Sequence, residues 1–280
     1  MKFTKMHGAG NDYIFIEDLK AGIKNPSKLA IEMSNRNFGI GSDGLILILK
    51  SKQADFKMRM FNSDGSESEM CGNGIRCFAK YVYDHKLTSK DKVAIETGGG
   101  IKHLELKIKN GLVTSVKVDM GEPILLREKI PMIGNPGMVI NENIHLPDGV
   151  TFAVTSLSMG NPHAVIFVED AANFPVSKYG PIIENLNLFP NRTNVEFVQV
   201  LNKKEIIQRT WERGSGETLA CGTGASAATA AGVLTMQTER KITVHLQGGD
   251  LKTEWNEKDN HIYLTGPAVE VFRGEWVYKS

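Results

Sequence analysis

The stretch Cys71-Gly72-Asn73-Gly74-Ile75-Arg76-Cys77 places a cysteine directly before a turn of small residues, at the point where a helical pattern begins. The apolar residues that follow recur at the i, i+3, i+4 and i+7 spacing typical of an amphipathic helix, namely Ile75, Phe78, Ala79 and Val82. The stretch therefore predicts a helix that begins just after Cys71.

A second stretch, Cys221-Gly222-Thr223-Gly224-Ala225, repeats this arrangement. It leads into a run of small residues, 225–232, that predicts a helix packed closely on all sides. Both thiols are thus expected at helix N-termini, where free N–H groups and the helix dipole favour an anion. We expect this position to lower the thiol pKa from about 8.5 into the range of roughly 3.5–7.5.

The two cysteines are also related by a register that extends beyond their own turns. They lie 150 positions apart, and other residue pairs keep the same offset. A chance similarity between glycine-rich turns explains one Cys-Gly-x-Gly pair, but it explains the whole set poorly. The register predicts a duplicated half, with each domain presenting one cysteine to a shared cleft. The matched pairs are Gly10-Asn11 with Gly160-Asn161, Tyr13 with His163, Phe61-Asn62 with Trp211-Glu212, and Glu67 with Glu217.

Composition limits the class of protein. The 280 residues allow two ordinary domains or one large one, and 41% hydrophobic with 23% charged residues is typical of a soluble globular chain. A net charge of +1 gives no support to a nucleic-acid or membrane partner, and no apolar run approaches the roughly 20 residues of a membrane span. The N-terminus lacks the apolar core of a signal peptide, and three cysteines argue against a disulfide framework. We therefore expect a cytoplasmic protein.

Hydrophobic patterning predicts short strands with one dominant helix in each half. The proline-rich segment from 120 to about 150 suits a crossing between the halves. Residues 269–275 resemble 116–122, so we expect the closing strand of each half to be equivalent. The predicted strands are 12–18, 45–49, 56–61, 93–96, 102–109, 113–119, 164–168, 195–200, 205–213, 241–246, 251–255, 261–264 and 269–275, and the further helices are 26–33 and a segment near 181–186.

Two cysteines facing one another could bind a metal, exchange a disulfide or carry protons. A metal site is disfavoured, because the spacing of Cys71 and Cys77 is wider than structural zinc uses and no further ligands are evident. Disulfide exchange normally uses a Cys-x-x-Cys motif, which is absent. Removing a proton from a carbon beside a carboxylate, and returning it on the opposite face, needs one thiolate and one thiol. The paired arrangement favours this third use.

The same helix ends can stabilise the charge that builds up on the substrate carboxylate. Losing one such oriented donor costs on the order of 100–1,000-fold in rate. Candidate donors are the N–H groups of Asn73-Gly74 and Gly222-Thr223. There is no dinucleotide or phosphate-loop motif, and the loop 39–44 resembles a dinucleotide fingerprint only loosely, so no cofactor is expected.

Polar residues gather near the same turns. A single asparagine in such a turn more often forms the turn than binds a ligand, but recurrence in both halves favours function. Arg213 is either a bidentate partner for a substrate carboxylate or a surface arginine. His163 and Glu212 either tune a thiol or form a buried polar pair, whereas Cys77 is expected to pack as a small hydrophobic residue. The asparagines concerned are Asn11, Asn62, Asn161 and Asn194.

Four blocks resemble the signature blocks of the diaminopimelate epimerase family, in that family's order: Met6–Asp12, Met70–Cys77, Gly160–His163 and Glu212–Ala225. The resemblance covers nearly the whole chain. It implies a cofactor-independent interconversion of LL- and meso-2,6-diaminopimelate in the synthesis of lysine and peptidoglycan precursors. It also implies two pseudo-symmetric α+β domains, each a mixed or antiparallel sheet wrapped around a central helix, with the final strand returning to the first domain.

The resemblance implies roles for residues at matching positions. Cys71 and Cys221 would be the acid and base, with His163 and Glu212 as supporting polar groups. One departure is the loop with Ser42 and Gly44, where some members have Ala and Gln, so the contribution of this loop to substrate binding is open. The substrate would be held by Asn11, Asn62, Asn161, Asn194 and Arg213, and donors to its carboxylate would come from Gly72, Asn73, Gly74, Gly222 and Thr223.

These inferences divide the chain into residues 1–119 plus 268–280, carrying Cys71, and residues 120–267, carrying Cys221, with the active site in the cleft between them. The expected partner is the small-molecule substrate, with no metal, nucleic acid or membrane. A homodimer is compatible with the sequence.

Two rival functions stay open on the sequence alone. The first is proline or hydroxyproline racemisation on the same scaffold, although the block 212–225 and the asparagine set favour the larger dicarboxylic substrate. The second is a thiol redox switch or a non-catalytic binding protein, since two reactive thiols can oxidise to a disulfide. Proton exchange at a substrate α-carbon would distinguish the enzymes from this second class.

Overall fold

The computed structural model describes residues 1–277, which form two compact units. The first contains Met1–Val118 and the segment that begins at Thr265, and the second contains Asp119–Leu264. Both units combine a mixed sheet with two helices.

The elements follow one another along the chain, with a short 3-10 helix at Arg127–Lys129. They are β1 (Lys2–Gly8), β2 (Asn11–Glu17), α1 (Pro26–Ser34), β3 (Gly44–Leu49), β4 (Phe56–Asn62), β5 (Glu67–Ser68), α2 (Gly72–Asp84), β6 (Lys92–Thr97), β7 (Gly100–Lys109), β8 (Leu112–Asp119), β9 (Val139–His145), β10 (Thr151–Ser158), β11 (Pro162–Phe167), α3 (Val176–Glu184), β12 (Asn194–Asn202), β13 (Glu205–Glu212), β14 (Gly216–Thr218), α4 (Gly222–Leu234), β15 (Lys241–Leu246), β16 (Gly249–Trp255), β17 (Ile262–Gly266) and β18 (Val269–Glu275).

Strand pairing follows the same order in the two units. In the first, β1–β2 is antiparallel, β2–β3 parallel, β3–β4 and β4–β5 antiparallel, and β4–β6 parallel. In the second, β10–β11, β11–β12, β12–β13, β13–β14 and β13–β15 repeat that sequence of directions. Even the registers agree, because Tyr13 pairs with Gly44 and His163 pairs with Asn194. The internal repeat that the sequence predicts is therefore confirmed.

One helix lies at the centre of each unit. The helix α2 contacts β1, β2 and β7, and α4 contacts strands β10 to β13 as well as β15 and β16. Most of α2 is buried, including Ile75 and Phe78. The run of alanine, glycine, serine and threonine in α4 is buried almost throughout, which confirms the close packing expected from its small residues. Each helix begins directly after its cysteine.

The outer helices agree with the sequence analysis in one unit and not in the other. Asn25 caps α1, and its Oδ1 accepts the Lys28 N–H at 3.1 Å. The helix expected near 181–186 begins earlier, at Val176, and contains Pro181 in its interior. Within a helix, proline is most common in the first turn, which is why the sequence places the helix start at Pro181. Here burial of Val176 and Ile183 in the apolar core extends the helix toward its N-terminus.

Five strands were missed or misassigned from the sequence. The strands β1, β5, β10 and β14 were not predicted, and β9 lies in the segment that was interpreted as a crossing. The expected equivalence of 269–275 and 116–122 is wrong, because β18 pairs with β1 as β9 pairs with β10. The register shifts at an equivalent point in both pairs of strands, between Lys5 and Met6 in the β1–β18 pair and between Val154 and Ser156 in the β10–β9 pair. The counterpart of β18 is thus β9. This equivalence follows from the strands with which they pair, and the local sequence does not indicate it.

Each unit has an apolar core between its sheet and its outer helix. The first includes Ile14, Leu29, Met33, Leu45 and Phe61, all buried. The second includes buried apolar residues of β10 to β12, such as Val154, Ile166 and Phe197, packed against Val176 and Ile183 of α3. Within residues 1–277, no helix has both the length and the apolar character needed to cross a bilayer.

Candidate active site

Cys71 and Cys221 occupy the same position in the two units, the N-cap of the central helix. The Cys71 Sγ accepts the Gly74 N–H at 3.4 Å, and the Cys221 Sγ accepts the Gly224 N–H at 3.3 Å. A sulfur that receives a helical N–H lies where the helix dipole favours negative charge. The expected placement of both thiols at helix N-termini is confirmed.

Polar side chains from β2 contact the Cys71 sulfur. The Tyr13 hydroxyl donates to Sγ at 3.4 Å, and the thiol donates to Asn11 Oδ1 at 3.3 Å. Asn73 Nδ2 donates to the same amide oxygen at 3.4 Å. Burial, and secondarily the neighbouring Cys71, raise the pKa of Tyr13 well above its ordinary value. Tyr13 is therefore a neutral hydrogen-bond donor to this sulfur.

A buried cation, Arg76, lies in α2 one turn after its N-terminus. The Arg76 side chain is fully buried, and Nη1 donates to the Gly72 carbonyl at 2.8 Å while Nη2 donates to Asn73 Oδ1 at 2.7 Å. Its Nε donates to the Pro267 carbonyl at 3.3 Å. Burial lowers the pKa of Arg76, whereas negative charge on Cys77 or Cys71 would raise it. The sequence analysis assigned no role to Arg76, although a charged residue inside a buried helical segment is a usable signal.

Close backbone approach at this turn depends on glycine. A Cβ at Gly8 would lie 2.9 Å from the Asn73 carbonyl oxygen and 3.1 Å from Arg76 Nη2. A Cβ at Gly74 would lie 2.7 Å from Ile46 Cδ1. The glycines therefore let β1 and β3 pack directly against the first turn of α2.

Cys221 lies in a more buried and more acidic setting than the sequence analysis expected. Burial, followed by the charges of Glu212 and Glu196, raises the pKa of Cys221 well above its ordinary value. Hydrogen bonds with Thr223, whose Oγ1 lies 3.4 Å from Sγ, and with the Gly224 N–H oppose this shift. The expectation of a lowered pKa is therefore wrong for Cys221. Burial and two carboxylates outweigh the helix N-terminus.

Glu212 lies beside Cys221 at the end of β13. Its Oε1 accepts the Thr218 hydroxyl at 2.6 Å. Burial raises the pKa of Glu212, although hydrogen bonds with Thr218 and Cys221 oppose the shift. A carboxyl group with a raised pKa, in contact with a thiol, is the type of group that can share or relay a proton.

His163 contacts Cys221 through other side chains. Its Nδ1 lies 2.8 Å from Glu196 Oε1, and its Nε2 lies 3.0 Å from Asn161 Oδ1. Asn161 Nδ2 in turn donates to Thr223 Oγ1 at 3.4 Å, which adjoins the Cys221 sulfur. A chain of hydrogen bonds thus connects a buried carboxylate to the second cysteine.

Glu196 was missed by the sequence analysis. It is fully buried, and its Oε2 has no hydrogen-bond partner among the described residues. A Cβ at Gly224 would lie 2.6 Å from its Oε1, so the carboxylate is packed against the first turn of α4. A single glutamate inside the apolar run Val195–Val198 was the available signal. Charged residues are almost never fully buried unless they are paired, and the partner of Glu196 is His163.

The remaining predicted site residues differ in how their side chains are used. Asn62 Nδ2 donates to Ser66 Oγ at 3.0 Å, within its own turn. Asn194 is buried, and it connects the Pro162 carbonyl, at 2.8 Å, to the Arg213 N–H, at 3.0 Å. The Arg213 side chain is exposed, and Nη1 donates to the Asn191 carbonyl at 3.0 Å. Asn194 therefore positions the backbone of Arg213, and the guanidinium keeps donors for a ligand.

The third cysteine has a packing role. Cys77 is fully buried in α2, and burial raises its pKa from 9.0 to about 12. This agrees with the prediction of a packing residue. Among residues 1–277, no group of three or more His, Cys, Asp or Glu side chains is arranged to hold a metal ion.

Comparison with known proteins gives consistent results. The sequence model of the diaminopimelate epimerase family matches residues 3–126 and 155–271. A diaminopimelate epimerase of Methanococcus maripaludis (strain C5 / ATCC BAA-1333) is 57% identical over 275 residues, which cover 98% of this chain and 99% of the relative. One from Acetivibrio thermocellus is 56% identical and covers 98% of both chains.

Solved structures show the fold independently. A Bacillus anthracis phenazine biosynthesis protein of the PhzF family superposes with a TM-score of 0.73, covers 99% of both chains and is 18% identical. At this identity the similarity concerns the fold alone. It confirms the expected α+β class with two pseudo-symmetric halves.

Proposed function

Since this chain belongs to the diaminopimelate epimerase family and is an amino-acid epimerase, an isomerase, we propose that it interconverts LL- and meso-2,6-diaminopimelate with Cys71 and Cys221 as the two proton carriers. The names of full-length relatives at 56–57% identity support the substrate. One observation carries the mechanism. The two sulfurs cap equivalent helices 150 positions apart, in units whose strand registers agree.

Inversion at an α-carbon breaks the Cα–H bond on one face and forms a new one on the other. One thiolate takes the proton, and the electron pair that it leaves behind spreads onto the adjacent carboxylate. A thiol then returns a different proton from the opposite face. Two cysteines in equivalent positions of duplicated domains suit this exchange.

Stabilisation of the intermediate is the task of the helix N-termini. Oriented N–H donors stabilise negative charge on the substrate carboxylate, without any cofactor, because their orientation is fixed before reaction. The donors proposed for this are in the first turns of α2 and α4. They belong to Gly72, Asn73, Gly222 and Thr223, and to Gly74, whose N–H also donates to the Cys71 sulfur.

The surroundings of the two sulfurs favour different protonation states. Burial, followed by the charges of Glu212 and Glu196, raises the pKa of Cys221, so this residue keeps its proton at neutral pH. Cys71 adjoins the buried cation Arg76, which favours negative charge. We infer that in the protein without substrate Cys221 carries a proton, and that Cys71 becomes the thiolate when substrate binds. In the reverse direction of the interconversion the two cysteines exchange these roles. His163 and Glu212 support Cys221.

One end of the substrate must be anchored while the other inverts. Arg213 and Asn194 have no counterparts in the first unit, where Ser63 and Gly44 occupy the matching positions. An exposed guanidinium can bind the distant carboxylate through two parallel hydrogen bonds. Asn11, Asn62 and Asn161 would complete the substrate contacts.

The test is deuterium incorporation at the α-carbon in heavy water, with LL- and meso-diaminopimelate as separate substrates. The wild-type protein should exchange and epimerise both, and Cys71→Ser and Cys221→Ser should each lose most turnover. Near-normal epimerisation by either serine variant would refute the two-thiol assignment. Proline and hydroxyproline are assayed in parallel, and turnover of these amino acids in place of diaminopimelate would favour the racemase alternative.

A further inference from the structure

The loop between α1 and β3 brings a carboxylate against Asn11. Asp43 Oδ2 accepts Asn11 Nδ2 at 2.6 Å and the Asp12 N–H at 3.0 Å. Its Oδ1 accepts Arg36 Nη2 at 2.8 Å. Both carboxylate oxygens thus act as acceptors, and the Asn11 amide must turn its NH2 group toward Asp43.

This orientation decides which end of Asn11 meets the Cys71 sulfur. With the NH2 group on Asp43, the amide oxygen lies 3.3 Å from Sγ. An amide oxygen has no proton to donate, so the proton in this contact belongs to the sulfur. A thiolate at the same place would face the negative end of the amide dipole. The contact therefore favours the protonated form of Cys71.

The second unit lacks this device. Thr193 occupies the position that matches Asp43, and it donates to the Asn194 carbonyl. Asn161, the counterpart of Asn11, turns its oxygen toward His163 and its nitrogen toward Thr223. The Asp43 carboxylate that anchors Asn11 therefore has no counterpart near Cys221, so this contact is a feature of the first unit alone.

We propose that Asp43 is a positioning residue, which locks the Asn11 amide so that its oxygen retains the proton of Cys71 until a ligand engages Asn11. This role rests on the proposed function of Cys71 as a proton carrier. An ammonium group of the substrate that takes Asn11 Oδ1 removes the acceptor from the thiol. Substrate binding then favours the thiolate that proton abstraction needs.

Several other ionisable groups surround Cys71 and Asp43. Tyr13 faces the sulfur from β2, and Arg76 and Cys77 lie on α2. Around Asp43, Lys5 and Arg36 both pair with Asp12, at 2.7 and 2.9 Å. The test must therefore separate the orientation of Asn11 from the plain charge of Asp43.

The experiment measures the rate at which iodoacetamide alkylates Cys71 from pH 6 to 10, by mass spectrometry of the Cys71 peptide. Wild type is compared with Asp43→Asn, Asn11→Ala and the double variant. Asp43→Asn frees the amide to turn, and Asn11→Ala removes the acceptor. Each variant should speed alkylation of Cys71 at neutral pH on the order of two- to tenfold, because this is the range that the free energy of one ordinary hydrogen bond produces.

The double variant distinguishes orientation from charge. If Asp43 acts through Asn11, then Asp43→Asn adds nothing in the Asn11→Ala background, because the two changes are not additive. A full additional increase in the double variant would show that the charge of Asp43 acts directly, and the proposal would be overturned. If Asp43→Asn does not fold, Asn11→Ala alone decides, and an unchanged rate there overturns the proposal.

Arg36→Gln is the matched control. It breaks the same ion cluster but leaves the Asp43–Asn11 hydrogen bond, so alkylation of Cys71 should not become faster. An increase as large as that of Asp43→Asn would mean that loosening of the loop, and not the amide orientation, exposes the thiolate. Alkylation requires no substrate. The two proposals can therefore fail separately. Absence of α-carbon exchange in the wild-type protein would refute the proposed function, whereas the alkylation rates would still test the role of Asp43.

Discussion

Glu196 occupies in the second unit the place that Ile46 occupies in the first. Each lies against the glycine three residues after the capping cysteine, 2.6 Å from a Cβ built on Gly224 and 2.7 Å from one built on Gly74. The first turn of the helix after each cysteine is therefore the same. The side chain packed against this turn is the Glu196 carboxylate in the second unit and the Ile46 hydrocarbon in the first. After burial and Glu212, this carboxylate is one of the groups that raise the pKa of Cys221.

Replacing Glu196 should make Cys221 more reactive. Glu196→Gln keeps the size of the side chain and removes one of the two carboxylates that raise the pKa of Cys221. Alkylation of Cys221 at neutral pH should then become faster, on the order of tenfold. The matched control is Gln208→Met, which changes a buried neighbour of Gly224 without altering charge. Equal rates for wild type and Glu196→Gln would contradict the role of this carboxylate.

Removing the buried cation near Cys71 should have the opposite effect. Arg76→Met leaves the Gly72 carbonyl and Asn73 Oδ1 without their donor and takes away a positive charge. Alkylation of Cys71 at neutral pH should slow on the order of tenfold. Ser226→Ala, at the matching position of α4, should leave the rate for Cys221 unchanged. An unchanged or faster rate of Cys71 alkylation in Arg76→Met would show that the guanidinium does not stabilise the thiolate and acts only in packing.

Two glycine substitutions should differ in cost. Gly224→Ala forces a methyl group against the Glu196 carboxylate and to 3.0 Å from Gln208 Nε2, so the free energy of unfolding should fall by about 1–3 kcal/mol. Gly74→Ala meets the flexible end of Ile46 and should cost less. Urea unfolding of both variants measures the difference. A Gly74→Ala variant at least as unstable as Gly224→Ala would contradict this account.

Stability should decline in alkaline solution. Burial raises the pKa of Cys77 from 9.0 to about 12 and also raises those of Cys221 and Tyr13. These groups stay protonated in the folded protein but ionise when it unfolds, so their contribution is complete below the unfolded pKa and is lost as pH rises. The free energy of unfolding should fall from about pH 9 toward pH 12. Cys77→Ala should flatten this slope, and an identical slope would contradict the assignment.

Much of the architecture could be predicted from local pattern. The 150-residue register places Asn11 and Asn161 in equivalent positions, and the Cys-Gly-x-Gly turns place both thiols at helix starts. These features depend on residues close together in the chain, or on a repeat that is visible without coordinates. The strand at 241–246 was predicted with the bounds that the structure shows, because it alternates cleanly and lies between turns.

The chemistry of the site depended on contacts that local pattern does not encode. The raised pKa of Cys221 comes from burial and from the carboxylates of Glu212 and Glu196. Glu212 was a candidate from the sequence, but the burial and the contribution of Glu196 were not evident from the residues around position 221. The anchoring of Asn11 by Asp43 joins residues 32 positions apart. The pairing of β18 with β1 joins the two ends of the first unit. Sequence by itself determined where the two sulfurs sit on their helices, since helix initiation is local. Tertiary structure alone decided which charges surround each sulfur, since electrostatic interactions act through space.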